Sequence, residues 1–204
     1  MVRNNPEAWD ERYKENSQHF GENPSELLLK WISRLPSGRA LVIACGAGRN
    51  ALFLAENNYE VDAIDYSKEA LSIAKERAQN KELEINWILA DLSNYVFPSE
   101  AYEVITMMHY KPENNHQEIK NSLKNGGYIL QEHHINTQTP MDHGPSNPEF
   151  RYDSNELLES YSDFQIFEYE EGIKLNEKRE KSGICRIVAR KTRNPQEKIP
   201  NLNE

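Results

Sequence analysis

The sequence has little cysteine. Its 204 residues include two, Cys45 and Cys185, which lie far apart and make no metal-binding spacing. Cys45 falls inside a glycine-rich segment and Cys185 inside a predicted strand. So sparse a pair excludes a disulfide framework, and reduced thiols in the cytoplasm are the simplest interpretation.

Long apolar runs and an excess of positive charge are also missing. No apolar stretch approaches the roughly 20 residues that span a bilayer, and the polar start of the chain, Met1 to Asp10, has no apolar signal region. We therefore expect a cytoplasmic protein without a membrane partner. The net charge is −9, with lysine and arginine scattered among acids, as in Lys174 to Lys181. Nucleic-acid binders usually carry a basic patch, so a nucleic-acid partner is disfavoured.

What is present is a regular alternation of strand and helix patterns, in a composition typical of one soluble globular domain (37% hydrophobic and 28% charged residues). Strand patterns occur at 40–44, 60–64, 84–90, 102–108, 128–132, 164–170 and 183–191. Between them, helix patterns predict an α/β fold whose mostly parallel sheet has helices on both faces. Only a short turn-like segment separates the last two strands, so these should pair antiparallel.

The chain divides into three predicted segments, an N-terminal helical lid at 1–37, a ligand-binding core at 38–191 and a flexible tail at 192–204. In the lid, Trp9 and Tyr13 are four residues apart and share one helix face. Asn23 is the predicted N-cap of the next helix, followed by proline and a glutamate. In the core, Asn125-Gly126-Gly127 is predicted to close a helix through a left-handed glycine.

A glycine-rich turn carries the clearest functional signal. Gly46-Ala47-Gly48-Arg49-Asn50-Ala51 matches G-x-G-x-x-A between a predicted strand and a predicted helix. Glycine lets a ligand approach the backbone, and the helix N-terminus offers free N–H groups. Asp65 lies about 20 residues later at the end of the second strand, where an acid can accept two ribose hydroxyls. The combination predicts an adenosine-type ligand, and a tight turn without a ligand is the alternative.

Two ligand classes fit this turn, dinucleotides and S-adenosylmethionine. Three features favour S-adenosylmethionine. A helical segment long enough to form a lid precedes the turn, Asp91 follows the third strand where it can meet adenine, and the sheet ends in an antiparallel hairpin rather than a second parallel half. A nicotinamide-dependent oxidoreductase stays open as the alternative enzyme.

Several strings, in order along the chain, are similar to those of class I S-adenosylmethionine-dependent methyltransferases. They are Trp9–Tyr13 (WDERY), Phe20–Pro24 (FGENP), Gly48–Ala51 (GRNA), Glu60–Asp65 (EVDAID), Ala90–Leu92 (ADL) and Leu123–Gly127 (LKNGG). Within that family the chain most resembles the small tellurite-resistance type, over roughly 9–191. The resemblance implies S-adenosylmethionine as cofactor and a Rossmann-like seven-stranded sheet in the order 3-2-1-4-5-7-6, with strand 7 antiparallel.

The resemblance also implies the cofactor site. Its residues are Trp9, Tyr13, Ala44, Cys45, Gly46, Gly48, Arg49, Asn50, Asp65, Tyr66, Asp91, Leu92 and Met107, with Phe20 as a further residue of the cleft. Two positions depart from the family pattern. Val42 stands where the family commonly has an acid that helps to hold the methionine amine, and Ala44 stands where it has a third glycine. Ala44 fits only if its backbone angles suit a residue with a Cβ.

The methyl acceptor is expected beyond the carboxyl ends of the strands. His109, Glu132 and His133 are the candidate catalytic residues there, and the family often has histidine at the position of His109. His133 and His134 are adjacent on a strand and face opposite sides, so at most one points into the site. A protein base is useful only if the acceptor must lose a proton. Structural roles for all of these residues remain open alternatives.

The leading hypothesis is a methyltransferase acting on a small-molecule acceptor, with a thiol or a chalcogen oxyanion suggested by family analogy. Alternatives are the nicotinamide-dependent oxidoreductase and a non-catalytic cofactor-binding domain, which Val42 and Ala44 would explain. A tRNA or protein substrate is disfavoured by the charge. No metal site is predicted, because the candidate ligands His109, His133, Asp142 and His143 make no recognised spacing. We expect a monomer or a homodimer.

Overall fold

Seven strands form one sheet in this computed structural model, which describes residues 5–17, 21–175 and 179–192. The strands are β1 (Arg39–Ile43), β2 (Glu60–Asp65), β3 (Asn86–Leu89), β4 (Tyr102–Met108), β5 (Leu123–His134), β6 (Gln165–Leu175) and β7 (Lys181–Arg190). Their order in the sheet is β3-β2-β1-β4-β5-β7-β6. Phe20 and nearly all of the predicted tail lie outside the described residues.

The helices are α1 (Pro6–Glu15), α2 (Glu26–Trp31), α3 (Arg49–Glu56), α4 (Lys68–Asn80), α5 (His116–Ser122) and α6 (Glu156–Ser160). Single turns of 3-10 helix lie at Ile32–Arg34 and Pro148–Phe150. The prediction of an α/β fold with strands 1 to 5 parallel is confirmed by the pairing of β1 with β2 and β4, β2 with β3, and β4 with β5. The predicted antiparallel pairing of the last two strands is confirmed for β6 and β7.

Both faces of the central strand β1 are buried. Leu41 and Ile43 belong to one core cluster, whereas Ala40 and Val42 belong to the cluster on the other face of the sheet. A strand covered on both faces needs apolar residues at every position, which explains the continuous apolar run in the sequence. The same packing holds the end of β1, and with it the glycine turn, in a fixed place. Among the described residues, none of the helices is both long and apolar enough to cross a membrane.

The predicted start of α2 is wrong by two residues. The N-cap is Ser25, whose Oγ accepts a hydrogen bond from the Leu28 amide at 3.3 Å. Asn23 lies outside the helix, and its carbonyl accepts a bond of 3.4 Å from Arg49. Both residue types are good N-caps, so the local sequence does not distinguish them. The N-cap of α4 is Ser67, whose Oγ accepts a hydrogen bond from the Ala70 amide at 3.1 Å.

The predicted glycine cap after α5 is also wrong. The helix ends at Ser122 and β5 begins at the next residue, so Gly126 lies within the strand, with φ of +86°. The Gly126 amide donates to the Lys191 carbonyl at 2.8 Å, and the Lys191 amide donates to Gly127 at 2.9 Å. These long-range bonds hold the glycine pair against the end of β7. A left-handed glycine is needed here, as predicted, but for a strand irregularity rather than a helix cap.

Candidate functional site

The glycine turn joins β1 to α3 through three left-handed residues. The φ angles are +51° at Ala44, +54° at Gly46 and +85° at Gly48. The Cys45 amide donates to the Ile64 carbonyl at 2.9 Å, and the Gly48 amide donates to the Cys45 carbonyl at 3.0 Å. The turn is therefore closed on itself and bonded to β2. The two glycines leave the turn with few side chains of its own, and the N-terminal amides of α3 begin directly behind it.

Asp65 lies at the end of β2, under the same turn. Its buried carboxylate accepts hydrogen bonds from the Gly46 amide at 2.7 Å and from the Ser67 amide at 2.9 Å. Burial raises the pKa of Asp65, and the backbone bonds oppose that shift. A carboxylate has about four lone-pair positions, and the backbone of Ser67, Gly46 and Tyr66 takes up three of them, so one position remains for a ligand. The arrangement fits a ribose hydroxyl of an adenosine ligand.

Ala44 adopts the left-handed conformation that its family resemblance requires, although it carries a Cβ. This conformation costs a residue other than glycine about 1–2 kcal/mol. The turn therefore presents the Ala44 carbonyl as a glycine would, at the expense of some stability. The departure at this position does not prevent the turn from forming.

Replacing Ala44 by glycine is expected to raise the free energy of unfolding by about 0.5–1 kcal/mol. Relief of the left-handed strain exceeds the roughly 0.4–1 kcal/mol that glycine's extra freedom in the unfolded chain costs. Urea denaturation measures the difference. As a control, Ala51→Gly in α3 should lower stability by about 1 kcal/mol or more, because that alanine is helical and buried. A lower free energy of unfolding for Ala44→Gly would show that the left-handed conformation of Ala44 is not strained enough to matter.

The N-terminal helix α1 covers the turn. Tyr13 is buried, and a Cβ added at Gly46 would fall on its hydroxyl group. Asp10 accepts hydrogen bonds from Ser67 Oγ at 2.6 Å and from the Glu69 amide at 3.2 Å, which attaches α1 to the start of α4. Trp9 is partly exposed beside Tyr13, with 6.4 Å between ring centroids. The structure thus brings both predicted aromatic residues to the turn, with Tyr13 in direct contact.

Arg49 and Glu132 place opposite charges at the front of the turn. Burial lowers the pKa of the Arg49 guanidinium, and the Glu132 carboxylate opposes that shift. Lys174 Nζ lies 3.4 Å from Glu132 Oε2 and reaches it from β6. Asn50, in contrast, turns to α2, where its Oδ1 accepts from the Ser25 amide at 2.9 Å. Arg49 and Glu132 can therefore meet a ligand, whereas Asn50 positions α2.

On the adenine side, Tyr66 and Asp91 lie near Asp65. Burial raises the pKa of Tyr66 to about 12, with the Asp65 and Asp91 charges adding to the effect. Asp91 is exposed and accepts from the Ser93 amide at 2.9 Å. The side chains of the other two predicted residues pack in the core, Leu92 nearly buried and Met107 fully buried. Cys45 is also buried, so in these three only the backbone can face a ligand.

Two histidines face each other at the ends of β4 and β5. The rings of His109 and His134 are stacked, with 5.3 Å between centroids and 28° between planes. His133 turns to the opposite face, where its buried ring meets Tyr152 at 5.7 Å. The predicted candidate His109 is therefore brought together with His134 rather than with His133. Glu132 shares the face of His134, because alternate residues of a strand point to the same side.

Three residues at the site were missed from the sequence. Asp10 and Lys174 are described above, and Arg77 of α4 donates to the Ala47 carbonyl of the turn at 3.3 Å and pairs with Glu22 at 3.1 Å. No local sequence signal distinguishes them from other surface charges, because their partners are 30 or more residues away. Within the described ranges, no group of three or more His, Cys, Asp or Glu side chains could hold a metal ion.

Comparison with known proteins agrees with this geometry. A family model described as "Methyltransferase domain" matches residues 40–127, which include the glycine turn, Asp65 and Asp91. The sheet order and the turn are those that the sequence resemblance implied. These matches support a class I S-adenosylmethionine-dependent methyltransferase, a class whose cofactor is S-adenosylmethionine.

Within that class, the chain is similar to the probable S-adenosyl-L-methionine-dependent methyltransferase TehB of Haemophilus influenzae. The two are 28% identical over 142 residues, which cover 66% of this chain and 49% of TehB. A 2-phytyl-1,4-naphtoquinone methyltransferase of Nostoc punctiforme is 30% identical over 141 residues, covering 67% of this chain and 60% of the relative. The chain thus spans about half the length of TehB.

Solved structures show the same fold. The crystal structure of TehB from Haemophilus influenzae matches with a TM-score of 0.72 and 23% identity, over 90% of this chain and 67% of TehB. The [4+2]-cyclase SpnF matches with a TM-score of 0.71 and 18% identity, over 92% of this chain and 94% of SpnF. Because one of these structures is described as a cyclase, the fold alone does not determine the reaction.

Proposed function

We propose that this chain binds S-adenosylmethionine at the glycine turn and transfers its methyl group to a small-molecule acceptor. The observation that carries the proposal is the left-handed backbone at Ala44, Gly46 and Gly48 combined with the buried Asp65 carboxylate bonded to Gly46. When bound, the cofactor supplies an electrophilic methyl group on a sulfonium. The protein then has to hold the acceptor in line and keep water away.

The residues present suit each part of this cofactor. Asp65 accepts a ribose hydroxyl, and Tyr66 and Asp91 are placed for the adenine. The covering helix α1, through Tyr13, shields the turn from water. Val42 is buried in the apolar core and cannot hold the methionine amine. We therefore assign the amine to Glu132 and the methionine carboxylate to Arg49, because an ammonium and a carboxylate are best matched by one anion and one cation.

Replacing Glu132 by glutamine is expected to weaken binding of S-adenosylhomocysteine by roughly 10- to 100-fold, the loss of one charge-assisted hydrogen bond. Binding of 5′-methylthioadenosine, which lacks the amino acid, should stay unchanged. Isothermal calorimetry with both ligands measures the two losses. Glu170→Gln is the control, since Glu170 pairs with Arg186 on the hairpin. Equal losses of affinity for the two ligands would show that Glu132 does not bind the methionine part of the cofactor.

Calorimetry with S-adenosylmethionine and S-adenosylhomocysteine tests the proposed function itself. We expect both to bind, and absence of binding at millimolar concentration would overturn the proposal. Fluorescence enhancement of a reduced nicotinamide cofactor on mixing would instead favour the oxidoreductase. Tight binding without turnover on a panel of thiols and oxyanions would favour a non-catalytic domain. The panel, read as release of S-adenosylhomocysteine, also tests the proposed acceptor class, a thiol or a chalcogen oxyanion.

A further inference from the structure

The stacked histidines lie on the acceptor side of the proposed cofactor site. Ile43 at the end of β1 pairs with Met107, so the glycine turn and His109 leave neighbouring strands at the same level. The His109 amide donates to the Glu132 carbonyl at 2.8 Å, which places His134 two residues further out on β5. His109 has φ of +59°, a left-handed angle that is uncommon for residues other than glycine, although histidine adopts it more often than most. Such strain tends to occur where a side chain has to be aimed.

The ring of His134 is held from the β7 side. Its Nδ1 lies 3.2 Å from Ser182 Oγ, beside the backbone of the neighbouring Gly183. Gly144 passes close by, since a Cβ there would be 3.0 Å from Nδ1. A hydroxyl can donate or accept. Ser182 Oγ can accept the proton of Nδ1 in a hydrogen bond, and Nε2 then keeps its lone pair.

The surroundings keep this ring neutral. Burial lowers the pKa of His134, and the charges of Arg151 and His143 lower it further, whereas the Gly183 backbone opposes the shift. The other titratable or charged groups around the ring are His109 from β4, Glu132 and His133 on the same strand, and Asp142, Glu180 and Lys181 at the hairpin end. A neutral imidazole with a free Nε2 is the form that accepts a proton.

We propose that His134 is the base that takes a proton from the substrate that is methylated. His109 is the positioning residue that orients the His134 ring. This inference rests on the proposed methyl transfer. It narrows the acceptor to nucleophiles that carry a proton at neutral pH, such as alkyl thiols and hydroxyl groups, rather than oxyanions that are already ionised. The acceptor's X–H bond breaks and the proton passes to Nε2 of His134. The freed electron pair bonds to the methyl carbon, the carbon–sulfonium bond breaks with its electrons remaining on sulfur, and His134 later releases the proton to water.

The test compares two thiol acceptors at pH 7, 2-mercaptoethanol, which is protonated, and 4-nitrothiophenol, which is ionised. His134→Gln should lower kcat/KM for the alkyl thiol by roughly 100-fold or more, the usual contribution of a positioned base. The rate with 4-nitrothiophenol should stay unchanged. The wild-type rate with the alkyl thiol should level off once His134 is deprotonated, whereas the rate of the variant should keep rising with pH as thiolate forms. Glu170→Gln, which removes a carboxylate that pairs with Arg186 on the hairpin, is the control.

Equal losses of kcat/KM with both thiols would show that His134 does not act as a base and that its side chain has only a packing role. Nitrogen-15 NMR of the free protein provides a second measurement, which does not depend on turnover. It should show His134 protonated at Nδ1 and bare at Nε2 at pH 7, and the opposite tautomer would overturn the proposal. If S-adenosylhomocysteine binds but the wild type methylates neither 2-mercaptoethanol nor a hydroxyl probe, the acceptor class is wrong. Failure of S-adenosylhomocysteine to bind would instead overturn the proposed function.

Discussion

Replacing Asp65 by alanine is expected to weaken S-adenosylhomocysteine binding by about 1–3 kcal/mol and also to destabilise the fold. The carboxylate is the acceptor for the amides of Gly46 and Ser67, at 2.7 and 2.9 Å. A hydrogen bond to a charged group contributes about 1.5–3 kcal/mol, and a buried donor left without a partner carries its full desolvation cost. The free energy of unfolding should therefore fall by about 2–4 kcal/mol, since removing a buried charge offsets part of the loss.

Two measurements separate these effects. Urea denaturation without ligand reports the structural loss, and calorimetry at a temperature where each variant is folded reports the loss of the ribose contact. Asp65→Asn keeps one acceptor oxygen, so its stability should lie between those of the wild type and the alanine variant. Asp91→Ala removes an exposed carboxylate and should change stability little. Unchanged affinity of the alanine variant for S-adenosylhomocysteine would show that Asp65 does not bind the ribose.

The parts of the site formed by contiguous sequence were predictable. The strand, glycine turn and helix from Ala40 to Glu56 give a local pattern, and the resemblance added the sheet order. Gly126 shows the limit of a local sequence pattern. A left-handed glycine after a helix pattern has the same local signal whether it caps the helix or bends a strand. Here the partner that decides, Lys191, is far away in sequence.

The histidine pair shows a second limit. Alternation on a strand predicted that His133 and His134 face opposite sides, but not which side holds the site. That choice depends on how β5 lies between β4 and β7, which brings His134 to His109 and His133 to Tyr152. Asp10 and Arg77 were missed for the same reason, because both act on the turn region through contacts that only the tertiary fold creates.

Gly48 packs closely against β3 and α4, and Gly48→Ala is expected to lower the free energy of unfolding by about 2–4 kcal/mol. An added Cβ would lie 2.9 Å from the Trp87 ring and 3.0 Å from the Ala74 Cβ. Overpacking of this kind costs about 1–3 kcal/mol. The φ of +85° adds about 1–2 kcal/mol of strain for alanine, of which the stiffer unfolded chain offsets about 0.4–1 kcal/mol.

Gly126 provides a matched control for the strain. Its φ is +86°, and nothing lies within 4 Å of an added Cβ, so Gly126→Ala should cost only the roughly 1 kcal/mol that the left-handed angle requires. The difference between the two variants in urea denaturation then isolates the contact of Gly48 with Trp87 and Ala74. Trp87→Leu should recover part of the Gly48→Ala loss, because the smaller side chain makes room for the Cβ. Equal losses at the two glycines would mean that backbone strain alone, and not close packing against β3 and α4, requires glycine at position 48.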